Sequence, residues 1–256
     1  MKDLFSVDGK VALVTGGTRG IGLMMARGLV AHGAKVYVAS RNADACEAAA
    51  QELSALGTCI GIPASLGSEA GCNALAEEIA RREVKLHVLV NNAGANWGAP
   101  IAEYPDAAWD KVLALNVKAV FHLTRFLLPQ LEAAASPEDP ARVINVGSID
   151  GLQVPVMETY AYSASKAAVH HLTRTLARRL AASHVTVNAV APGPFESKMM
   201  AETLDRFHDA IVDSCPLARI GRPDDMAGIA VYLASRAGAY VTGAVIPVDG
   251  GISTCK

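Results

Sequence analysis

Seven short runs rich in apolar and β-branched residues punctuate this chain, at 11–15, 35–40, 59–65, 87–93, 142–148, 185–192 and 244–249. Between them lie longer stretches of Ala, Leu, Glu and Arg with helical periodicity. Strands that alternate with helices form βαβ units, and these build a parallel sheet. The crossovers are right-handed and place helices on both faces. The runs are apolar throughout rather than alternating with polar residues, as strands buried on both faces require. The expected fold is therefore a single-domain, Rossmann-like, doubly wound α/β fold around a seven-stranded parallel sheet. A chain of 256 residues, 51% hydrophobic and 19% charged, supplies one such domain spanning 1–256 and leaves no room for two. Loop-like composition is confined to 133–141 and to a region opening at Pro192-Gly193-Pro194.

The first run leads straight into Gly16-Gly17-Thr18-Arg19-Gly20-Ile21-Gly22 and then into a helical pattern from Leu23. Glycine at Gly16, Gly20 and Gly22 allows a tight turn, a close approach of backbone to a pyrophosphate, and a helix set near its strand. The helix start offers unpaired N–H groups and a partial positive charge to phosphate. A dinucleotide is the predicted ligand; a helix-starting turn without a ligand is the competing reading. The second run ends Val38-Ala39-Ser40-Arg41-Asn42, with no acid until Asp44. NAD-selective sites place a carboxylate about 20 residues past the glycine turn, on the ribose hydroxyls. Here the Ser40 hydroxyl and the Arg41 guanidinium stand instead, which predicts NADPH over NADH. Arg19, inside the glycine turn, is placed to reach the same 2′-phosphate.

Tyr162-Ser163-Ala164-Ser165-Lys166 sets a phenol and an ammonium four residues apart, on one face of a helix. A nearby cation favours tyrosinate, so Lys166 is expected to lower the Tyr162 pKa and make the pair a general acid/base. Ser148 ends the fifth run, where ligands gather beyond the carboxyl ends of parallel strands. Its hydroxyl can donate to a carbonyl oxygen as charge develops there. Asn91-Asn92-Ala93-Gly94 ends the fourth run on the same rim, and Asn116 falls within the helical pattern 106–128. Tyr160 has Ala164, not a lysine, four residues on, and reads as pocket wall or packing.

The motifs T-G-x-x-x-G-x-G, N-N-A-G, N-x-G-S, Y-x-x-x-K and P-G occur in that order between Gly9 and Gly251. Together they resemble the single-domain short-chain dehydrogenase/reductase family. The resemblance implies that Tyr162 gives and takes the proton, that Lys166 also holds the nicotinamide ribose, that Ser148 positions the substrate carbonyl, and that Asn116 holds a water for proton relay. It implies cofactor contacts from Gly16, Thr18, Arg19, Gly20 and Ile21, from Ser40, Arg41 and Asn42, and from Asn92, Ala93 and Gly94 beside the adenosine ribose. Ser65 and Leu66 fall at the adenine, and Pro192, Gly193, Phe195 and Ser197 at the carboxamide. Two departures stand out. Ser65 replaces an aspartate frequent in the family, and the gap from Ser148 to Tyr162 is one residue longer than usual. That gap, Asn96-Trp97-Gly98 and the Pro/acidic insertion before Arg142 are similar to bacterial 3-oxoacyl reductases of the rhamnolipid-biosynthesis type.

The implied activity is NADP(H)-dependent reduction of a carbonyl, or oxidation of the alcohol, with a 3-oxoacyl thioester or similarly apolar ketone as substrate. A cyclic, steroid or sugar ketone stays open, as does a non-catalytic NADP-sensing protein. Met200, Leu204, Phe207 and Ile211 fall at helical spacing. They predict a substrate lid over 194–216, with Trp97 as a further apolar wall; static core packing competes. A net charge of −2 gives no field to recruit nucleic acid or an anionic membrane. No apolar run approaches the roughly 18 residues of a membrane span, and no secretory signal fits ahead of the first strand. Five irregularly spaced cysteines and seven histidines without ligand spacing predict reduced thiols, a cytoplasmic location and no metal. The acids Glu132, Glu138 and Asp139 disfavour docking of an acidic acyl carrier protein. The helical stretches 106–128 and 161–180 carry more apolar surface than one sheet face needs, and a homotetramer is expected.

Overall fold

The computed structural model describes residues 4–198 and 200–255. Of the predicted domain 1–256, residues 1–3 and 256 lie outside the described residues, as does Met199 of the predicted lid. The strands are β1 (Val11–Thr15), β2 (Lys35–Ser40), β3 (Cys59–Pro63), β4 (Val88–Asn91), β5 (Ala141–Val146), β6 (Val185–Pro192) and β7 (Val245–Val248). They form one seven-stranded sheet in the order β3-β2-β1-β4-β5-β6-β7. Every pair of neighbours is parallel. The strand order reverses between β1 and β4, and in such sheets the crevice beyond that point is the ligand site. Thr15 ties the two strands there. Its hydroxyl donates to Val90 O at 3.2 Å and accepts from the backbone N–H groups of Asn92 and Ala93 at 3.0 and 3.1 Å.

Side chains alternate between two buried layers, and both are apolar. Ala12, Val14, Val36, Val38, Val88 and Val90 pack against α1 (Gly20–Ala31), α2 (Ala43–Ser54) and α9 (Pro223–Ala234). Leu13, Tyr37, Leu89 and Val143 pack on the other side against α3 (Glu69–Arg82), α5 (Ala119–Phe126) and α7 (Tyr160–Leu180). This two-sided burial is why the strands read as continuous apolar runs. At Gly28 a Cβ would stand 2.7 Å from the Cβ of Ala227, so glycine sets how closely α1 and α9 pack.

Several expected boundaries are corrected. The runs predicted to end at 65, 93, 148 and 249 leave the ladder earlier, at Pro63, Asn91, Val146 and Val248. The residues beyond bend into the crevice rim, with Ala64 N and Gly147 N still donating to Ser40 O and Val190 O at 2.7 Å. The helical pattern 106–128 is three pieces: α4 (Asp106–Leu113), a wider π-type turn at Ala114–Lys118, and α5. A further helix, α6 (Leu128–Ala134), starts with Pro129 in its first turn. The remaining helix, α8 (Ala201–Ser214), is interrupted at Phe207, whose φ of −132° is not helical.

The Pro/acidic insertion folds inward at the opposite end of the sheet. The Arg142 side chain is 1% exposed. Its Nη2 donates to Asp139 Oδ1 and to Ser235 O, both at 2.9 Å, and its Nε donates to Leu233 O at 3.0 Å. Lys10 Nζ donates to the same carboxylate at 2.7 and 2.6 Å. Asp139 thus neutralises two cations and fastens the insertion to the start of β5.

Candidate active site

The glycine turn after β1 is closed on itself. A Cβ at Gly22 would overlap Gly16 O, and one at Gly16, whose φ is +63°, would stand 2.7 Å from the Asn92 amide nitrogen. Asn92 Nδ2 donates to Thr15 O at 2.8 Å and to Gly16 O at 3.0 Å. The Asn92 Nδ2 therefore pins the turn, and the side-chain oxygen and the backbone are what is left to face a ribose. At the start of α1, Arg19 gives no side-chain cap, and the first turn holds no acid. The first-turn N–H groups lack an intrahelical partner by construction. With the Cβ-free wall, they fit a pyrophosphate.

Ser40 and Arg41 follow from the end of β2, beside that turn, and Arg19 and Arg41 are both exposed. Ser40 Oγ donates weakly to Asn42 O at 3.3 Å. The Asn42 Oδ1 accepts from Ala45 N at 2.8 Å and caps α2, which leaves the amide donors of this exposed residue to face a cofactor. Past β3, Ser65 is exposed, while the Leu66 side chain is 4% exposed and packs in the core with Leu75 and Ile79. Leu66 can offer an adenine only its backbone. Beyond β6, Gly193 N donates to Val248 O at 3.0 Å, and a Cβ there would stand 2.7 Å from the Asp249 side chain. The Phe195 ring is 1% exposed and fills the space beside Gly221, which again leaves backbone alone for a carboxamide. Ser197 lies across from the glycine turn, its Cβ 3.3 Å from where a Cβ of Gly20 would stand. The phosphate and carboxamide ends of the predicted site thus face one another.

Ser148, Tyr162 and Lys166 meet at the carboxyl end of β5. Ser148 is 7% exposed, and its Oγ accepts from Asp150 N at 3.1 Å, capping the short turn Ile149–Gly151. The same hydroxyl faces the Tyr162 phenol. Lys166, one helical turn further along α7, is 5% exposed. Its Nζ lies 5.4 Å from the Tyr162 ring centroid and donates to Val146 O at 2.7 Å. Burial dominates the proton affinities. It pushes Tyr162 up to about 12, against a smaller downward pull from the Ser148 hydroxyl, and Lys166 down to about 8. The expected lowering of Tyr162 by Lys166 is thus corrected. Desolvation of the phenolate sets the direction, with the Ser148 hydroxyl and Asp150 as smaller influences, and near neutral pH the pair holds both protons.

Asn116 sits in the π-type turn and is 2% exposed. Its Nδ2 donates to Ala95 O at 3.0 Å and to Ser165 Oγ at 2.9 Å, and its Oδ1 accepts from Ala95 N at 2.8 Å. The amide locks the loop after β4 against α7, and no donor is left on it for a relay water. The close backbone approach there is served by Gly94, where a Cβ would stand 3.3 Å from Asn116 Oδ1.

Two nearby groups carry no motif and were missed in the sequence. His170 is 2% exposed, and neither ring nitrogen has a partner. It lies wedged between Gly147 and Gly151, and burial pushes it down to about 4. It is therefore a neutral packing group beneath the Ser148 turn. The other is Asp150. The only available signal was the pair of glycines flanking Ser148-Ile149-Asp150.

The substrate side is apolar and open. Trp97 is 38% exposed, with Lys111 Nζ 5.2 Å from its ring centroid. Tyr104 OH donates to Trp97 O and accepts from Ala161 N, both at 3.2 Å, and the Tyr160 ring packs edge-on to Tyr104 at 5.3 Å. Tyr160 is thus packing, as its sequence context implied. Val154 and Val156, on the strap between Ser148 and Tyr162, are 91% and 101% exposed. Met200, Leu204 and Ile211 are half-buried and Phe207 is 49% exposed, so the stripe on α8 is not core packing. The interruption at Phe207 divides it. A cavity of about 520 Å³ lined by Phe195, Leu217, Arg219, Val248 and Gly250 lies elsewhere, and none of Ser148, Tyr162 or Lys166 borders it.

Residues 10–206 match the model of the short chain dehydrogenase family. The chain belongs to that family. It is 49% identical to the rhamnolipids biosynthesis 3-oxoacyl-[acyl-carrier-protein] reductase of Pseudomonas aeruginosa, over 98% of this chain and 99% of that protein. It is 37% identical to a galactitol 2-dehydrogenase (L-tagatose-forming) of Cereibacter sphaeroides, over 98% and 97% of the two chains. Among solved structures, the Pseudomonas aeruginosa RhlG/NADP active-site complex superposes with a TM-score of 0.96 at 48% identity, covering 99% of this chain and all of the other. As a short-chain dehydrogenase, the chain is an oxidoreductase on a Rossmann-like fold.

Proposed function

We propose that this chain is an NADPH-dependent carbonyl reductase acting on a 3-oxoacyl thioester or a similarly apolar ketone. The observation that carries the reading is the placement of Ser148, Tyr162 and Lys166 together at the carboxyl end of β5, beside an acid-free glycine turn. When bound, the nicotinamide supplies the hydride. Ser148 donates a hydrogen bond to the ketone oxygen and orients it. Tyr162 gives its proton to that oxygen as negative charge develops. Lys166 stays cationic below about 8 and opposes the loss of charge balance when the phenol becomes phenolate. A phenol held protonated through neutral pH suits the reductive direction.

The apolar strap with Val154 and Val156, and Trp97 on the loop that Ala99 N ties to Glu158 O, favour an acyl chain over a sugar. The 49% identical relative, named for 3-oxoacyl reduction, supports the same class. Part of the acidic run that disfavoured a carrier protein is internally neutralised, Asp139 by Lys10 and Arg142. Carrier-bound and coenzyme A thioesters are therefore both included. The segment 194–216 is read as the lid that closes over the substrate, with Leu204 and Phe207 on its inner side.

NADPH preference rests on Arg19, Ser40 and Arg41, and on the NADP complex of the 48% identical neighbour. A charge-assisted contact contributes about 1.5–3 kcal/mol; solvent screening at two exposed arginines reduces their sum to about the value of one such contact, a preference of roughly tenfold to several-hundredfold in kcat/KM. Arg41→Ala is expected to cut the NADPH:NADH ratio by about tenfold, read from initial rates with each cofactor. A wild type that prefers NADH, or a ratio untouched by the substitution, contradicts the assignment.

A cytoplasmic homotetramer without nucleic-acid or membrane partners belongs to the same reading. No single described helix is long and apolar enough to cross a membrane. On α5, Phe121 is 41% exposed, which suits a helix face that pairs with another copy. Light scattering is expected to give about four times the monomer mass of 26.6 kDa. A monomer mass would contradict it.

A further inference from the structure

The turn that carries Ser148 also carries a carboxyl that the proposed chemistry leaves unused. Asp150 is the central residue of Ile149–Gly151, and its backbone N–H donates to the Ser148 hydroxyl at 3.1 Å. The turn lies hard against α7. A Cβ at Gly151 would stand 2.7 Å from the Lys166 carbonyl carbon and from Ala167 N. Only glycine there lets the turn, with Asp150 on it, come so near the stretch of helix that carries Tyr162 and Lys166. Asp150 is half-buried, and among the described residues its carboxylate takes no hydrogen bond and no ion pair. Lys166 spends its ammonium on Val146 O alone. The other elements packed here bring only neutral polar groups. These are Asn91 from β4, Asn145 from β5 and Asn116 from the π-type turn. From α7 come Tyr162, Lys166 and the neutral His170. α7 carries no acid, so Asp150, on the turn pressed against it, is the one anion among the described residues whose charge bears on both members of the pair.

We propose that Asp150 is a positioning residue for ketone reduction: its carboxylate holds the proton on the Tyr162–Lys166 pair and so sets the highest pH at which the chain reduces a ketone. The proposal rests on Tyr162 being the acid, as read above. The electrostatic signs agree at both groups. Burial lowers Lys166 and Asp150 raises it again; burial raises Tyr162 and Asp150 raises it further. Burial also raises Asp150 itself, with Lys166 pulling it back. Removing the carboxylate lowers the proton affinity of both partners, so whichever of them limits reduction at high pH, the limit moves the same way.

The experiment compares Asp150→Asn with the wild type in two readouts. In the pH profile of kcat/KM for ketone reduction, the descending limb is expected to move toward lower pH by roughly one unit, and Asp150→Glu is expected to restore it. In the free protein, a ¹³C NMR titration of lysine Cε, with the Lys166 signal assigned by its loss in Lys166→Arg, is expected to show a lower midpoint in Asp150→Asn. Asp150→Ser serves as a second variant should the asparagine fold poorly. A loss of rate that is uniform across pH, with limb and midpoint unmoved, would overturn the proposal. If no ketone is reduced, the reading of the function fails, while the NMR midpoint still decides the role of Asp150.

Discussion

Replacing Tyr162 with Phe is expected to lower kcat for ketone reduction by about 10²–10⁴-fold, the range that a positioned general acid contributes. The substitution removes one oxygen and keeps the ring over which Lys166 lies at 5.4 Å. Packing of α7 on the β5 end of the sheet is therefore preserved, and the melting temperature should stay within a degree or two. The lost hydroxyl faces the Ser148 hydroxyl, which still accepts from Asp150 N, so no buried donor is orphaned. Cofactor affinity, measured by calorimetry, should be nearly unchanged, because the glycine turn and the arginines at the end of β2 are untouched. In the wild type the proton is held on both members of the pair below about 8. Reduction should therefore run on a plateau through neutral pH and decline as Lys166 loses its charge. A Tyr162→Phe enzyme that keeps more than a tenth of the wild-type kcat would show that another group delivers the proton.

Asp139→Ala is expected to cost about 3–5 kcal/mol of stability, the range found when one partner of a buried ion pair is removed. Arg142 would remain 1% exposed with its charge opposed only by the carbonyls of Leu233 and Ser235, and Lys10 would lose both of its contacts. Asp139 is 35% exposed, and water can partly replace it, so the lower half of that range is the better expectation. For a chain of this size, each kcal/mol shifts the melting temperature by roughly 2–4 °C. Asp139→Asn, which keeps the acceptor and loses the charge, should fall between. Denaturant unfolding measures the loss, and kcat at low temperature should hardly change, since the network lies at the end of the sheet away from Tyr162. An unfolding midpoint unmoved by Asp139→Ala would mean that the insertion does not fasten β5.

The order and kind of elements were legible because the sheet is buried on both faces. Each strand then has to be an apolar run, and each crossover has to be an amphipathic helix. The strand ends were not legible. Ala64, Asn92 and Gly147 continue their runs without a break in the sequence, and Ala64 and Gly147 still donate to the neighbouring strand as the chain bends into the rim. Site residues were legible as positions, less so as side chains. Asn92 and Asn116 look like ligand amides in the sequence, yet their hydrogen bonds tie the glycine turn and the loop after β4 in place. Leu66 and Phe195 fall in cofactor-facing segments, yet their side chains are core. How far burial raises the Tyr162 phenol depends on depth, which no spacing reveals. Asp150 and His170 escaped because neither sits in a motif, and their significance comes from the glycines that let the Ser148 turn press against α7.

The most direct test of the account is the kcat/KM for NADPH-dependent reduction of a medium-chain 3-oxoacyl coenzyme A thioester, set against that for a polar keto-sugar acid. The exposed apolar strap at Val154 and Val156, in the segment that joins Ser148 to Tyr162, predicts at least roughly tenfold faster turnover of the thioester, as expected when several methylenes at about 0.8 kcal/mol each leave water. Faster turnover of the sugar acid, or no turnover of any ketone by a chain that binds NADPH, would contradict it.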